Sequence, residues 1–147
     1  MNSLISLVAI LASALTTTTM ADRTDFIGKW EIVEALDGEM NPFSLPDGNY
    51  FMTLQDAGDG ETLSASIKVG NSMRTRIQFT GSSEEGDTIQ VGGLMSTMMM
   101  PPAKLFQLEQ YFSKTMPKMD LVQKETVEDE TRMVFSGDGK MVWKQVE

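Results

Sequence analysis

The side chains best suited to unusual chemistry lie in the segment LMSTMMMPPAK, residues 94–104, which holds Met95 and the run Met98–Met100. Thioether sulfurs favour Cu(I), but a thioether site needs several converging ligands, ideally with histidine or cysteine among them. The sequence contains neither. Methionine also fills irregular gaps between packed elements. We interpret the run as packing at the seam between a strand and a helix, with sulfoxide formation and Cu(I) binding as alternatives.

The absence of histidine and cysteine removes thiol nucleophiles, histidine bases and the usual zinc ligands. Carboxylates cluster at Glu84–Asp87, at Glu125–Glu130 and in the loop Asp56–Glu61. None of these clusters has the spacing of a calcium loop, and solvated hairpin tips are the simpler interpretation. We therefore predict no catalytic residue, no metal ligand and no cofactor.

Two other pairs of residues are candidates for binding. Arg74 and Arg76 alternate along the polar side of a predicted strand, where they either mask a sheet edge or bind an anion. Trp30 and Trp143 lie in the first and last predicted strands and become neighbours if the sheet closes. They are predicted to pack in the core or rim, or to form an aromatic wall for a ligand or partner.

Period-two alternation of apolar and polar residues predicts the strands that must position these groups. The clearest example is Thr62–Gly70, where Leu63, Ala65 and Ile67 alternate with polar residues. The predicted strands are Lys29–Leu36, Tyr50–Asp56, Thr62–Gly70, Met73–Gly81, Asp87–Leu94, Met119–Glu125, Thr131–Gly137 and Lys140–Val146.

Between the fifth and sixth predicted strands the period changes to that of a helix. Leu105, Leu108 and Phe112 recur at helical spacing after two prolines, and Pro117 ends the pattern near Thr115. We predict a mainly β fold of about eight short antiparallel strands in a curved sheet or small barrel. One helix precedes the last three strands and covers an open end or edge.

The N-terminal run LISLVAILASAL, residues 4–15, is too short to cross a bilayer comfortably and suits the apolar region of a signal peptide. We predict a leader over residues 1–21 with cleavage after Ala14 or Ala21, followed by one domain over residues 22–147. A retained membrane anchor is the alternative. The prediction places the mature protein outside the cell or in the endomembrane lumen.

The charge balance of 12 basic and 21 acidic residues gives a net charge of −9. Nucleic acids and acidic membrane surfaces would repel such a chain. We therefore expect neither nucleic-acid binding nor membrane binding after the leader is removed, and we expect a monomer.

Three segments resemble the META domain family, the HslJ-like group. The entry FIGKWEIVEALDGE, residues 26–39, is similar to the family's opening strand, and ETRMVFSGDGKMVW, residues 130–143, to its closing hairpin. Residues 92–122 are similar to its central signature, a strand that ends in a Ser-Thr-x-Met element before a helix. The residues that carry the resemblance are Gly28, Trp30, Ser96, Thr97, Met99, Pro101, Leu105 and Glu109.

The resemblance implies an open barrel-like sheet with one helix, and no established catalytic site. Many members carry a cysteine just after the Thr-x-Met element, whereas this chain has Met100 or Pro101 there. Nothing ascribed to that cysteine applies here. By family analogy we expect a secreted, non-enzymatic protein with a binding or structural role in stress response, host interaction or virulence.

A weaker resemblance links FIGKW, residues 26–30, to the first strand of calycins, the lipocalin and fatty-acid-binding group. It implies a hollow barrel that carries a small apolar ligand. The predicted position of the helix disagrees with a lipocalin fold. The lipocalin helix follows the last strand, whereas the helix of this chain precedes the last three strands. An unidentified protein partner and a small apolar ligand are therefore both open as partners.

Overall fold

The computed structural model describes residues 16–19 and 22–146, with side chains from Asp22 onward. The strands are β1 (Thr16–Thr19), β2 (Gly28–Leu36), β3 (Phe51–Asp56), β4 (Thr62–Lys68), β5 (Ser72–Ser83), β6 (Gly86–Val91), β7 (Met95–Ser96), β8 (Met119–Val127), β9 (Glu130–Gly137) and β10 (Gly139–Val146). One α-helix, α1, spans Ala103–Thr115, and 3-10 turns span Arg23–Phe26 and Met116–Lys118.

Eight of the strands close into an antiparallel barrel in the order β2, β3, β4, β5, β6, β8, β9, β10. Closure occurs because β10 pairs with both β2 and β9, while β8 pairs with both β6 and β9. The predicted small barrel, with its helix before the last three strands, is confirmed. Each of the eight predicted strands corresponds to one strand of the ring.

Alternating side chains fill the barrel as the period-two pattern predicts. Leu63, Ala65 and Ile67 of β4 are buried, as are Met73 and Ile77 of β5. Across β2 and β10, Trp143 lies opposite Ile32 and Gln145 opposite Trp30. The two indoles therefore share the inner face as diagonal neighbours, and both are completely buried.

Helix α1 closes one end of the barrel with its apolar side. Leu108 and Phe112 are completely buried, and the ring of Phe112 stacks 5.8 Å from the ring of Trp143. The hydroxyl of Tyr111 donates a 2.7 Å hydrogen bond to the carbonyl of Leu36 at the end of β2. These contacts place the helix as a plug that adds aromatic side chains to the core. Within the described part of the chain, no helix has the length and apolar character that crossing a membrane requires.

Strand β1 lies outside the ring and extends the sheet along β8, with Thr16 opposite Val127 and Thr19 opposite Lys124. The rest of the predicted leader, residues 1–15, 20 and 21, lies outside the described residues. Cleavage after Ala14 keeps β1, whereas cleavage after Ala21 removes it and leaves this part of β8 unpaired on one side.

Amide hydrogen exchange will distinguish the two forms. We expect the amides of residues 124–127 that face β1 to exchange at least about ten-fold faster in a protein beginning at Asp22 than in one beginning at Leu15. The amides of Leu121 and Val122, where β8 pairs with β6, serve as the control and should not change. Equal rates at residues 124–127 in both proteins would show that β1 does not protect this edge.

Asp87 is a buried carboxylate at the start of β6. Burial raises its pKa, and the nearby charges of Asp22 and Asp25 raise it further. Because the folded state then binds its proton more tightly than the unfolded state, the ionised carboxylate destabilises the fold, and stability falls as pH rises through the raised pKa.

The variant Asp87→Asn should therefore be more stable than the wild type at pH 7. Its advantage should shrink as the pH falls through the raised pKa of Asp87, and vanish below the unfolded value of about 4. Urea unfolding at several pH values measures this, with Asp120→Asn at an exposed position as the control. A variant less stable than the wild type at pH 7 would contradict the prediction.

Candidate functional site

Asn71, in the turn between β4 and β5, is the centre of a buried polar network. Its backbone N–H donates to Oε2 of Glu109 on α1 at 2.6 Å, and its Nδ2 donates to Oε1 of the same carboxylate at 2.9 Å. Both side chains are buried. One carboxylate therefore satisfies two donors and fastens the helix to the hairpin.

The other side of the Asn71 amide holds the segment before the helix. Its Oδ1 accepts from Thr97 Oγ1 at 2.9 Å and from the Met99 N–H at 2.8 Å. Its Nδ2 also donates to the Met99 carbonyl at 2.9 Å. We call Asn71, Thr97, Met99 and Glu109 the Asn71 clasp. It fixes the backbone of the methionine run against the barrel.

Gly70 allows the chain to approach closely at this point. A Cβ atom there would lie 2.4 Å from Cβ of Pro101 and 3.2 Å from Oε2 of Glu109. Only glycine leaves room for both the proline ring and the carboxylate. The sequence marks Gly70-Asn71 as a hairpin turn, but no local pattern reveals that Asn71 reaches residues about thirty positions away.

Most residues of the predicted family signature meet around this network. Thr97, Met99 and Glu109 belong to the Asn71 clasp. Ser96 of β7 pairs with Met73 of β5. Leu105 packs half-buried against the core. At a distance from the clasp, Gly28 begins β2 with a φ of 141°, and Trp30 donates from Nε1 to the carbonyl of Phe26 at 2.9 Å.

The interpretation of Met98–Met100 as packing at the seam between a strand and a helix is wrong. All three side chains are exposed, as is Met95. The clasp explains why, since it binds the backbone of Met99 and leaves the side chains of the run outside. The gap-filling tendency of methionine did not predict this outcome, because the segment is held in place by a distant asparagine.

An open cleft of about 680 Å³ lies on the outer surface of the barrel, beside Met95. It contains both predicted arginines, with hydroxyl and amide groups beneath them. The lining residues are Thr53, Gln55, Ser64, Ala65, Ser66, Arg74, Thr75, Arg76, Gly92, Gly93 and Met95. Because β5 is paired on both sides near Arg74 and Arg76, the arginines do not mask a free edge.

The two arginines differ in whether a carboxylate lies near the guanidinium group. Arg76 lies 3.8 Å from Asp59, whose pKa is lowered mainly by hydrogen bonds from Thr62 and also by Arg76. For Arg74, no carboxylate of the described chain lies within 4.0 Å. Arg74 is paired across the ladder with Met95, which also lines the cleft and is followed along the chain by the exposed run Met98–Met100. We call Arg74, Arg76, Met95 and Met98–Met100 the Arg–Met surface.

Trp30 and Trp143, the other predicted pair, are brought together, but in the core. Both are completely buried, so a ligand at the surface cannot reach them. Trp30 has a hydrogen-bond partner, whereas Nε1 of Trp143 has none among the described residues. The structure therefore places both tryptophans in the packed core. This agrees with the interpretation of core packing and not with that of an aromatic wall for a ligand.

Carboxylates of the loop after β3 serve the loop itself. Asp56 accepts from the N–H of Gly58, which lowers its pKa with further help from Arg23. Asp59 accepts from the N–H groups of Glu61 and Thr62. Among the described residues, no group of three or more acidic side chains is placed to hold a metal ion.

A second groove of about 680 Å³ runs beside α1, where Phe43 stacks on Tyr111 at 4.5 Å. Its charges are mixed, with Lys114 and Lys118 near Asp37 and Asp138. The groove therefore favours neither sign of charge in a partner, unlike the cleft at Arg74.

A closed antiparallel barrel plugged by one helix before its last three strands defines a small helix-capped β-barrel domain. The family model of the META domain matches residues 24–146, and the chain belongs to that family. Among solved structures, an NMR structure of a protein from Burkholderia xenovorans is similar, with a TM-score of 0.56 and 11% identity over 81% of each chain. At that identity the similarity shows the fold alone. No curated protein matches the chain.

Proposed function

We propose that this META-domain protein is a secreted, non-enzymatic binding module that docks a partner protein on the Arg–Met surface. The partner segment is acidic and carries apolar side chains. One observation carries the proposal: on a strongly acidic domain, two arginines share a cleft with the exposed Met95, and three more exposed methionines, Met98–Met100, follow along the chain. The family resemblance supports a setting in stress response or host interaction.

Charge supports an acidic partner. The domain carries a net charge of −9, and an acidic segment would be repelled by most of its surface. The cleft places two cations on this acidic domain, Arg74 and Arg76, of which Arg76 lies 3.8 Å from Asp59. A carboxylate can bind Arg74 without displacing an existing partner within 4.0 Å in the described chain, so this position gives the docking its direction and register.

Apolar contact supports a protein segment rather than a free anion. Met95 places a flexible thioether side chain in the cleft with the arginines, and Met98–Met100 expose three more a few residues along the chain. Such side chains adapt to apolar groups of different shapes. A small anion would use the guanidinium groups and gain nothing from the methionines.

The chemistry of the chain supports a binding role. It has no histidine or cysteine, and its loop carboxylates accept hydrogen bonds from their own backbone. Secretion is supported by the predicted leader over residues 1–21. The alternative, a carrier of a small apolar ligand, needs an interior space, and the buried Trp30, Trp143 and Phe112 occupy the centre of the barrel.

Peptide display tests the proposal without a known partner. Random peptides are selected on the wild-type protein, and their affinity is then measured for the wild type and for the Arg74→Glu/Arg76→Glu variant. We expect selected sequences rich in acidic and apolar residues. Their affinity should fall at least about ten-fold in the arginine variant, since close charge pairs contribute more than 1 kcal/mol.

A matched control is Lys104→Glu/Lys114→Glu, which changes the net charge equally on exposed positions of α1. It should bind the selected peptides nearly as well as the wild type. Equal losses in both variants, or displacement of the peptides by inorganic phosphate alone, would overturn docking at this surface.

A further inference from the structure

The four methionines of the Arg–Met surface differ sharply from those of the core. Their exposed fractions are 77% for Met95, 98% for Met98, 62% for Met99 and 86% for Met100. Six others are at most 1% exposed and fill the interior: Met52, Met73, Met116, Met119, Met133 and Met141. The protein therefore contains two populations of thioether sulfur, one open to solvent and one enclosed.

Fixed backbone contacts maintain this outward position. The Met99 N–H and carbonyl both bind the buried Asn71 amide, and Thr97 N–H donates to the Ser72 carbonyl at 3.1 Å. On the other side of the run, Pro101 lies over Gly70. Residues 97–101 are therefore held along the hairpin at both ends, and the side chains between them have no core to enter.

We propose that Met95, Met98, Met99 and Met100 form an oxidation site, converted to methionine sulfoxide by oxidants of the peroxide class. In each step the thioether sulfur takes one oxygen atom from hydrogen peroxide. The sulfur is oxidised, the O–O bond breaks, and the remaining oxygen leaves as water with both hydrogens. A dithiol reductant reverses the change, forming a disulfide and water while the sulfur returns to a thioether.

Oxidation at this position changes the surface without disturbing the fold. A sulfoxide is polar and accepts hydrogen bonds, so the same change in a core methionine would disrupt packing. Outside the barrel it leaves the Asn71 clasp intact, because the clasp uses only the backbone of Met99. What changes is the apolar part of the Arg–Met surface. This consequence rests on the proposed docking function, and peptides that bind there should bind more weakly after oxidation.

Peptide mapping by mass spectrometry, after limited exposure of the folded protein to hydrogen peroxide, tests the site itself. We expect sulfoxide to form at least about ten-fold faster at Met95 and Met98–Met100 than at the core methionines, because oxidation follows exposure. The midpoint of thermal unfolding should stay unchanged while these four react. Equal rates at exposed and buried methionines, or an early fall of the midpoint, would overturn the oxidation site.

The binding consequence has its own control, Met95→Leu/Met98→Leu/Met99→Leu/Met100→Leu, which keeps apolar side chains and removes the thioethers. Peptides selected on the wild-type surface should lose affinity for the oxidised wild type by at least about three-fold and keep it for the peroxide-treated variant. Met40 is half-exposed in another loop, and sulfoxide there should not change binding.

The two proposals fail separately. If the four methionines oxidise selectively and no peptide binds the surface, the docking function falls and the oxidation site stands. If peptides bind and oxidation of all four leaves their affinity unchanged, the docking function stands and its control by oxidation is wrong.

Discussion

Replacing Glu109 by alanine is expected to lower the free energy of unfolding by roughly 2–4 kcal/mol. The substitution removes the acceptor of two hydrogen bonds, from the backbone N–H of Asn71 at 2.6 Å and from its Nδ2 at 2.9 Å. Both donors lie in a buried site where water cannot easily replace the carboxylate, so each bears a desolvation cost. Urea unfolding measures the loss.

The control for this prediction is Gln110→Ala, one position along the same helix and exposed. It should cost less than about 0.5 kcal/mol, as surface substitutions usually do. The cost of Glu109→Gln should fall between those of the two variants. The glutamine amide keeps one oxygen acceptor for Asn71, but its N–H₂ group faces the other Asn71 donor. A cost below about 0.5 kcal/mol for Glu109→Ala would mean that the clasp does not stabilise the fold.

Loss of Glu109 should also act on the Arg–Met surface. The side-chain amide of Asn71 binds Thr97 and Met99, and Glu109 fixes the orientation of that amide by accepting a hydrogen bond from it. Without Glu109 the amide is free to turn away from both residues. In Glu109→Ala the Met99 amide should exchange hydrogen faster, even where the barrel remains folded. The helix, the hairpin and the methionine run are thus linked by one buried carboxylate.

The strands could be predicted from the sequence, because each carries a local pattern of alternating apolar and polar residues. In β4 and β5, alternation at Leu63, Ala65, Ile67, Met73 and Ile77 reports directly on which side faces the core. The ring closure between β2 and β10 depends on pairing between distant strands, and the sequence indicates it only through its two tryptophans. Strand prediction succeeded because its signal is local.

Prediction of the site was less complete, because part of the site depends on contacts between residues that are distant in the sequence. Arg74 and Arg76 were identified because they alternate on one face of a strand, and the structure adds the cleft around them. Asn71 was missed, because its role depends on contacts with Met99 and Glu109, which lie 28 and 38 positions away. Family resemblance pointed to Glu109 and Thr97 without showing that both bind Asn71.

The exposed methionine run departs from the usual position of methionine between a strand and a helix. Methionine after a strand and before a helix normally indicates packing, because a flexible side chain fills the space where two elements meet. Here that space is already occupied by Asn71 and Glu109, both buried and polar. The methionines are left for the surface, where their flexibility suits contact with a partner.

Replacing Trp143 by alanine is expected to cost about 3–5 kcal/mol, the range for truncating a large buried aromatic side chain. Its ring is completely buried and stacks on Phe112 at 5.8 Å, so the substitution empties space between β10 and the helix plug. The variant Trp143→Phe keeps most of the volume. It also removes an N–H group for which the described part of the chain offers no hydrogen-bond partner, and it should therefore cost clearly less.

The same variants decide between a filled barrel and a hollow carrier. Because a cavity lined by apolar side chains stays dry and accepts small aromatic molecules, indole should raise the thermal midpoint of Trp143→Ala. It should leave the wild-type midpoint unchanged, since Trp30 and Trp143 already fill the centre. If Trp143→Ala does not fold, Trp143→Leu provides a smaller cavity for the same measurement. Stabilisation of the wild type by indole or by a fatty acid would show an accessible interior and favour the carrier.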